Sequence, residues 1–190
     1  PDNIRNFFQT GVTTTNNVAF TANGDTSYAR FSYTNMAQTG MVPNTDYQRN
    51  SFDASFGGNL SSRLSMDGNV KYIRTDSDNR PGVGYAGDNV LQQSIWTGRQ
   101  VDWQALEDRY EERDAFGRNF NWNHSFQNNP YFTLNNNVKP MNRDRVMGFF
   151  KSTYKLTDWL SVMGRMGTDL YSENRTRIFA KETADYPNGR

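Results

Sequence analysis

The chain has 190 residues, of which 35% are hydrophobic and 14% are aromatic, and its mean hydropathy is −0.89. Its net charge of only +1 argues against a nucleic-acid-binding protein, because such proteins carry a basic excess. It contains no cysteine, which excludes a disulfide framework and a thiolate metal site, and no apolar stretch of the about 18 residues that a transmembrane helix needs.

Alternation of apolar and polar residues predicts six β-strands in chain order. The predicted strands are residues 13–22, 26–35, 49–58 and 64–75, then two strands within 144–171 that form a hairpin with its break at Thr157 and Asp158. Residues 76–143 are a very long connection. The connections are therefore short, medium, short, very long and short, which is typical of transmembrane barrels with tight periplasmic turns and longer extracellular loops.

Each predicted strand has one apolar and one polar face, and strands of about ten residues can cross a bilayer. Eight residues are predicted to share the outer, lipid-facing side of one antiparallel sheet. They are Val18, Phe20, Phe31, Phe52, Phe56, Val70, Phe150 and Val162. Rings near the strand ends, Tyr33 and Tyr72 at one end and Tyr154 and Trp159 at the other, are similar to the aromatic girdles of such barrels.

Charged residues on the polar parity of the strands are predicted to face the lumen, because a charge facing lipid costs about 2–4 kcal/mol at mid-membrane. We expect most of them to pair with one another or with an internal plug. They are Arg30, Asp53, Asp67, Lys71, Lys151, Arg165 and Asp169.

Six strands cannot close a barrel, since the smallest outer-membrane barrels have about eight. The chain also begins at Pro1 rather than methionine and ends at Arg190 without a closing element. We therefore expect a piece of a longer protein, with both ends of the piece on the extracellular side.

Several segments resemble the SusC/RagA family of TonB-dependent outer-membrane transporters of Bacteroidetes. The matching stretches are PDNIRNFFQTGVTTTNNVAF (1–20), YARFSYTNMAQTGMVPNTDYQRNSF (28–52), GRQVDWQAL, NNPYF, NRDRVMGFF and LTDWLSVMGRMGTD. They occur in order over nearly the whole chain. Together they are more specific than any short motif.

The resemblance implies an antiparallel transmembrane β-barrel of about 22 strands, integral to the bacterial outer membrane, of which this chain supplies about six. It further implies a plug and a TonB box upstream, which this sequence lacks, contact with TonB through that region, and a SusD-like lipoprotein lid. The implied substrates are oligosaccharides or peptides too large for porins.

The long loop carries ten aromatic residues, including three of the four tryptophans. Such rings either stack on sugars or anchor a partner, or they pack the loop into its own core. Residues 101–110 have helical spacing, with Asp102 as a candidate N-cap and Trp103, Leu106 and Tyr110 on one face, and we predict that these three form the loop's core. Trp96 and Trp122 lie outside this helix and are predicted to contact substrate or partner.

Other charged residues of the loop fit no chemical motif. Asp76, Asp78, Asn79 and Asp88 resemble loose calcium ligands, but their spacing is not that of an EF-hand loop, and a solvated loop start is the simpler interpretation. The carboxylates between residues 107 and 114 alternate with arginines, which favours a surface charge ladder over a catalytic pair. With His124 as the only histidine, we predict no catalytic site, no metal site and no cofactor.

Two other interpretations fit the same alternation. A soluble β-sandwich that binds carbohydrate would bury the apolar faces between two sheets and use the loop rings for sugar. An outer-membrane barrel acting as a structural scaffold, or as a client of another assembly, would have the same strands without transport. The sequence does not identify the substrate.

Overall fold

The computed structural model describes residues 3–184 and 186–189; the chain ends Pro1 and Arg190 lie outside the described residues. Six long strands form one antiparallel sheet in which each strand pairs with the next along the chain. The strands are β1 (Val12–Asn23), β2 (Ser27–Thr39), β3 (Asp46–Asn59), β4 (Leu64–Ser77), β5 (Met141–Lys155) and β6 (Ser161–Arg175). The all-β, antiparallel prediction is confirmed.

The remaining elements are short. They are a 3-10 turn (Arg5–Phe7), α1 (Val90–Trp96), α2 (Trp103–Asp108), α3 (Pro130–Asn136) and a small hairpin of β7 (Lys181–Thr183) and β8 (Tyr186–Asn188). Among the described residues, no helix has the length and apolar character needed to cross a membrane.

The strands extend further than the sequence predicted. Residues 40–45 and 78–140 are the connections at one end of the sheet, where longer stretches, 36–48 and 76–143, were expected; β6 continues to Arg175 rather than ending near Tyr171. The predicted boundaries are wrong there because the apolar alternation stops before the backbone pairing does. The β7–β8 hairpin was not predicted at all.

Strand pairing places all eight predicted apolar residues on one face of the sheet, which we refer to as the apolar face. Each of these eight residues is 42–72% exposed. In the part of the chain that the structure describes, no second sheet packs on this face, since the only other sheet is the β7–β8 hairpin. The facing-sheet arrangement required by the sandwich interpretation is therefore not seen in residues 3–184 and 186–189.

Three aromatic rings lie in a row at the end of the apolar face that is nearest the long connections. Phe52 lies between Tyr33 and Tyr72, with ring centroids 4.8 and 6.4 Å away. The Tyr33 hydroxyl donates to Asn50 Oδ1 at 2.7 Å, and the Tyr72 hydroxyl donates to Asp144, so both point into the next, polar row of the same face. The apolar face therefore changes to polar at this row.

The opposite face of the sheet, which we refer to as the charged face, holds all seven charges predicted for the lumen. Lys71 Nζ lies 3.2 Å from Asp53, and Lys151 Nζ lies 2.8 Å from Asp67. Asp169 accepts from Arg145 Nε at 2.7 Å. Mutual pairing thus satisfies most of these charges.

Two members of the set, which have no ion pair among the described residues, contact neutral neighbours. The Arg30 guanidinium donates to Thr21 Oγ1 at 3.2 Å, and the Arg165 guanidinium lies 4.3 Å from the centroid of the Phe149 ring. Both contacts are made on the charged face, between adjacent strands.

Residues 78–140, with the segments 3–11, 40–45, 176–184 and 186–189, form a unit at one end of the sheet that we refer to as the cap. Its core contains Trp103 and Leu106 from α2, which are 1% and 2% exposed, with Tyr110 packed against them. The predicted core trio and the Asp102 N-cap are confirmed: Asp102 accepts from the N–H groups of Gln104 and Ala105 at 2.9 and 3.3 Å. The other buried members are Phe7, Val42, Val90, Tyr131 and Leu134.

Buried asparagines join the cap to the sheet. Asn79, which follows β4, donates from Nδ2 to the carbonyls of Asn44 and Leu134, each at 2.9 Å, and accepts from the Lys139 N–H at 3.1 Å. One side chain therefore links the exit from β4, the β2–β3 connection and the entry to β5. These hydrogen bonds hold the two ends of the long loop together. They therefore offset part of the entropic cost of closing the loop.

Candidate ligand cleft

Three segments of the cap enclose a cleft of about 570 Å³, within the usual size of a small-ligand pocket. The segments are residues 85–96, residues 122–127, and residues 177–184 with Tyr186. The lining residues are Tyr85, Ala86, Gly87, Asp88, Gln92, Trp96, Trp122, Asn123, Phe126, Gln127, Arg177, Phe179, Thr183 and Tyr186. Both tryptophans predicted to make external contacts therefore line one cleft, although they are 26 positions apart in the sequence (96 to 122).

The first wall is built by the start and end of α1. Asn89 is the N-cap, accepting from the Leu91 N–H at 3.1 Å, and its Nδ2 donates to the Gly84 carbonyl at 2.7 Å. This fixes the approach to the helix, whose last residue is Trp96. The Trp96 ring meets the Tyr85 ring edge-on at 6.4 Å, and both residues stay exposed, at 60% and 84%.

The second wall is a pair of asparagine-stabilised turns. The Trp122 N–H donates to Asn121 Oδ1 at 2.8 Å, and Asn123 Oδ1 accepts from the N–H groups of Ser125 and Phe126 at 2.9 and 3.3 Å. The contact from Ser125 to Asn123 is an Asx turn, which holds a short polar segment without regular structure. These contacts leave Trp122 half-buried against the cap core and Phe126 75% exposed.

The third wall is the segment after β6, which two other asparagines hold in place. Asn137 Oδ1 accepts from the Ala180 N–H, and Asn128 Oδ1 accepts from the Ala184 N–H, both at 2.9 Å. Phe179 and Tyr186 stack across the β7–β8 hairpin with ring centroids 4.2 Å apart. Sequence reasoning missed this wall, because its position depends on hydrogen bonds to residues more than 40 positions away.

The cleft combines exposed rings with unsatisfied polar groups. Gln127 is 9% exposed, and its Oε1 has no hydrogen-bond partner among the described residues; the same holds for Trp122 Nε1. Buried polar groups without partners are uncommon and costly. Because Gln127 Oε1 and Trp122 Nε1 are enclosed, the groups that a ligand in the cleft meets are the exposed rings, on which its flat faces can stack.

Charge in the cleft is nearly balanced. Asp88 forms an ion pair with Lys139, and both side chains are about nine-tenths buried. Arg177 is exposed and has no ion-pair partner in residues 3–184 and 186–189. The cleft therefore suits a ligand that is mainly neutral and polar, with at most one anionic group beside Arg177.

Two of the carboxylates between residues 107 and 114, Glu112 and Asp114, form ion pairs with arginines. Arg109 contacts Glu112 at 2.8 Å, as a surface charge ladder predicts. Asp114 accepts from the backbone N–H and the guanidinium of Arg118, which lowers the pKa of its carboxyl. Arg113 departs from the predicted ladder and pairs with Glu182 at 2.9 Å.

Tyr131 lies under this charged surface in the cap core. Burial, followed by the nearby charge of Glu107, raises the pKa of its phenol. Its ring packs edge-on against Phe7 with centroids 5.4 Å apart. Tyr131 is thus a packed, neutral core residue.

Three of the four residues that resemble loose calcium ligands have a different partner each, and the fourth, Asp78, is exposed. Asp76 binds the Arg74 guanidinium at 3.0 Å, Asp88 pairs with Lys139, and Asn79 bonds to the backbone of the loop ends. No group of three or more acidic, histidine or cysteine residues converges on a common point in the described part of the chain.

The seven predicted lumen charges lie on the sheet and not in the cleft, so the structure separates the two sets of predicted site residues. No protein-family model matches the chain, and no curated protein sequence matches it either.

Proposed function

We propose that the chain is part of the barrel of a SusC-like, TonB-dependent transporter in the bacterial outer membrane. The observation that carries this proposal is the uncovered apolar face of the six-stranded meander. Soluble monomers rarely expose contiguous apolar patches larger than a few hundred Å². The apolar side chains of this face must be shielded from water. The acyl chains of lipid would shield them without a second sheet.

The dimensions of the apolar face suit a bilayer. Along β4 the apolar residues run from Tyr72 to Leu64, eight positions, which is about 27 Å at about 3.4 Å per residue. A strand tilt of about 40° reduces this to about 20 Å, close to the ~25 Å apolar band of outer-membrane barrels. At the two ends lie the Tyr33–Phe52–Tyr72 row and the exposed Trp159, which fit the positions of aromatic girdles.

In this proposal the charged face lines the lumen, and the cap stands on the extracellular side. The remaining strands, the plug and the TonB box belong to the rest of the transporter. The cleft of the cap then meets substrate, an oligosaccharide or a peptide, or the SusD-like lipoprotein lid. Its exposed rings support this role, because sugars and peptides present flat apolar faces that stack on aromatic rings.

The soluble carbohydrate-binding interpretation shares the cleft but leaves the apolar face unexplained. Fractionation of cells that produce the full-length protein tests the two directly. We expect the protein in the outer-membrane fraction, resistant to carbonate extraction and migrating faster on gels before heating than after. Recovery of folded protein from the soluble fraction would contradict the transporter proposal.

Replacing Trp96 and Trp122 with alanine tests the role of the cleft. We expect either substrate uptake or lid association to fall at least about fivefold, since ring anchors typically contribute more than 1 kcal/mol to binding. Uptake and lid association are measured separately in the full-length transporter. Trp122→Phe, which keeps an aromatic ring at this position, is the conservative comparison.

Phe116→Ala is the matched control, because Phe116 is an 82% exposed ring of the cap that does not line the cleft. If the barrel assembles normally and neither uptake nor lid association changes in the Trp96 and Trp122 variants, the cleft has no part in either process.

A further inference from the structure

Charge is distributed unevenly over the two faces of the sheet. Strand pairing places nine basic and four acidic residues on the charged face, a net charge of +5, although the whole chain carries only +1. The basic residues are Arg30, Arg49, Lys71, Arg143, Arg145, Lys151, Lys155, Arg165 and Arg175, and the acidic residues are Asp53, Asp67, Asp169 and Glu173. The rest of the chain is therefore net acidic.

Part of the basic excess is gathered in one depression where the charged face meets the cap. Arg49, Arg143 and Arg175, on β3, β5 and β6, line a depression of about 670 Å³ together with Arg80, which follows β4. We refer to these four residues as the arginine cluster. Thr75 lies between Arg49 and Arg143 in the same row of the sheet, so no bulky side chain on β4 separates them.

Only two carboxylates line the same depression, and both are already engaged. Glu173 is shared, since it pairs with Arg175 and also lies 3.9 Å from Arg143 Nε. Asp46 accepts from the backbone N–H groups of Asp78 and Asn79, at 2.9 and 3.2 Å. The four guanidinium groups therefore exceed the acidic groups available to them.

Two members of the cluster lack an anionic partner altogether. In the described residues Arg49 has no ion pair, and Arg80 contacts only the Met141 sulfur, at 3.4 Å. The Nε of Arg143 is buried without a hydrogen bond. Further from the cap, by contrast, Lys71, Lys151 and Arg145 each have their own aspartate. Among the described residues, unmatched positive charge on the charged face therefore includes Arg49 next to the cap and, further from it, Arg30, Lys155 and Arg165, but only at the cap end do arginines converge on one depression.

We propose that the arginine cluster binds a carboxylate group of the transported solute. Guanidinium groups match carboxylates through paired, charge-assisted hydrogen bonds, which lysines do not provide as well. A positive field at the mouth of a lumen also concentrates anions and speeds their capture. The inference rests on the proposed function, because it takes the charged face as the lumen wall, and it narrows the substrate class to acidic oligosaccharides or acidic peptides.

The test uses the purified full-length transporter in detergent and two matched pairs of probes. The first pair is trigalacturonate and its fully methyl-esterified form, and the second is a glutamate-rich hexapeptide and its glutamine counterpart. Calorimetry should show at least one acidic probe binding about tenfold or more tightly than its neutral partner at low salt. The preference should shrink as sodium chloride is raised, because added salt screens the attraction. The pair in which the acidic probe binds more tightly shows whether the carboxylate belongs to an oligosaccharide or to a peptide.

Arg49→Gln and Arg143→Gln should each weaken binding of the acidic probe at least about fivefold. Arg63→Gln, the same change in the exposed β3–β4 turn at the other end of the sheet, should leave it unchanged. Equal affinity for both members of each pair, or equal effects of Arg49→Gln and Arg63→Gln, would overturn the inference.

A third outcome would also overturn it. If Arg49→Gln and Arg143→Gln lower the melting temperature but leave probe binding intact, the cluster pairs with an acidic part of the transporter itself. Assembly, read from heat-modifiable migration on gels, is measured on the same preparations. Failure of the barrel proposal is thereby distinguished from failure of the carboxylate site.

Discussion

Phe56→Arg is expected to block assembly of the protein into the outer membrane. Phe56 lies in the middle row of the apolar face, where its partners across the sheet are Ala29 and Gly68. Its ring covers Gly68, whose missing side chain leaves the space. A guanidinium facing lipid at this depth costs about 2–4 kcal/mol, and deletion of the ring removes the packing over Gly68 as well. Heat-modifiable migration and outer-membrane fractionation measure the folded fraction.

Ser55→Arg, one residue away, is the matched control. Ser55 lies on the charged face, where its hydroxyl donates to Asp53 Oδ1 at 3.2 Å. Arginine there meets water and the Asp53 carboxylate, while repulsion from Arg30 across the strand pair costs about 1 kcal/mol or less. Assembly should stay near the level of the unmodified protein. Equal assembly of the two variants would remove the basis for assigning the apolar face to lipid.

Trp103→Ala is expected to open the cap while leaving the sheet assembled. Trp103 is 1% exposed, and its ring meets Phe7 edge-on with centroids 4.9 Å apart. Removing a buried tryptophan side chain costs about 3–5 kcal/mol. Trypsin can cleave the cap after several basic residues once it opens, such as Arg99, Arg109 and Arg118. Since cleavage of an opened segment follows its opening equilibrium, the cleavage rate should rise on the order of a hundredfold or more.

Ile95→Ala provides the comparison, because Ile95 is a large apolar residue of the cap that is 82% exposed. The rate at which trypsin cleaves the Ile95→Ala variant should remain within about threefold of the rate for the unmodified protein. Similar rates for Trp103→Ala and Ile95→Ala would show that the cap does not depend on the core that contains Trp103.

Period-two alternation was enough to predict the faces of the sheet. Phe20, Phe31 and Phe56 fall on one side, and Asp53 and Lys71 on the other, as the sequence predicts. The strand ends could not be predicted in the same way. Beyond Tyr33 and Tyr72 the pairing continues through polar side chains on both faces, such as the Asn35–Asn50 pair, whose alternation carries no hydrophobic pattern.

The cap was only partly predictable. Helical spacing and a capping aspartate predicted α2 and its buried face, because those are local features. The cleft depends on asparagine side chains that bind distant backbone groups, such as Asn137 with Ala180 and Asn128 with Ala184. Nothing in a run of asparagines specifies which distant N–H each will bind, so the third wall of the cleft had no local sequence pattern.

The arginine cluster illustrates the same limit on the sheet. Arg49, Arg143 and Arg175 lie on three strands and meet only because of the strand register. Their alternation within each strand predicts the face that they share. The alternation does not predict that the arginines outnumber the carboxylates beside them. That imbalance depends on the positions of Glu173 and Asp46 across the sheet.

A single-cysteine scan along β2 tests the central claim most directly, namely that the apolar face meets lipid and the charged face meets water. The chain has no cysteine of its own, so one introduced thiol in this region reports on one position. A spin label is placed in turn at Arg30, Phe31, Ser32 and Tyr33 of the full-length protein in bilayers, and its accessibility to oxygen and to a water-soluble nickel complex is measured. The account predicts oxygen accessibility at positions 31 and 33 and nickel accessibility at positions 30 and 32. Nickel accessibility at all four positions, or no alternation between them, would contradict it.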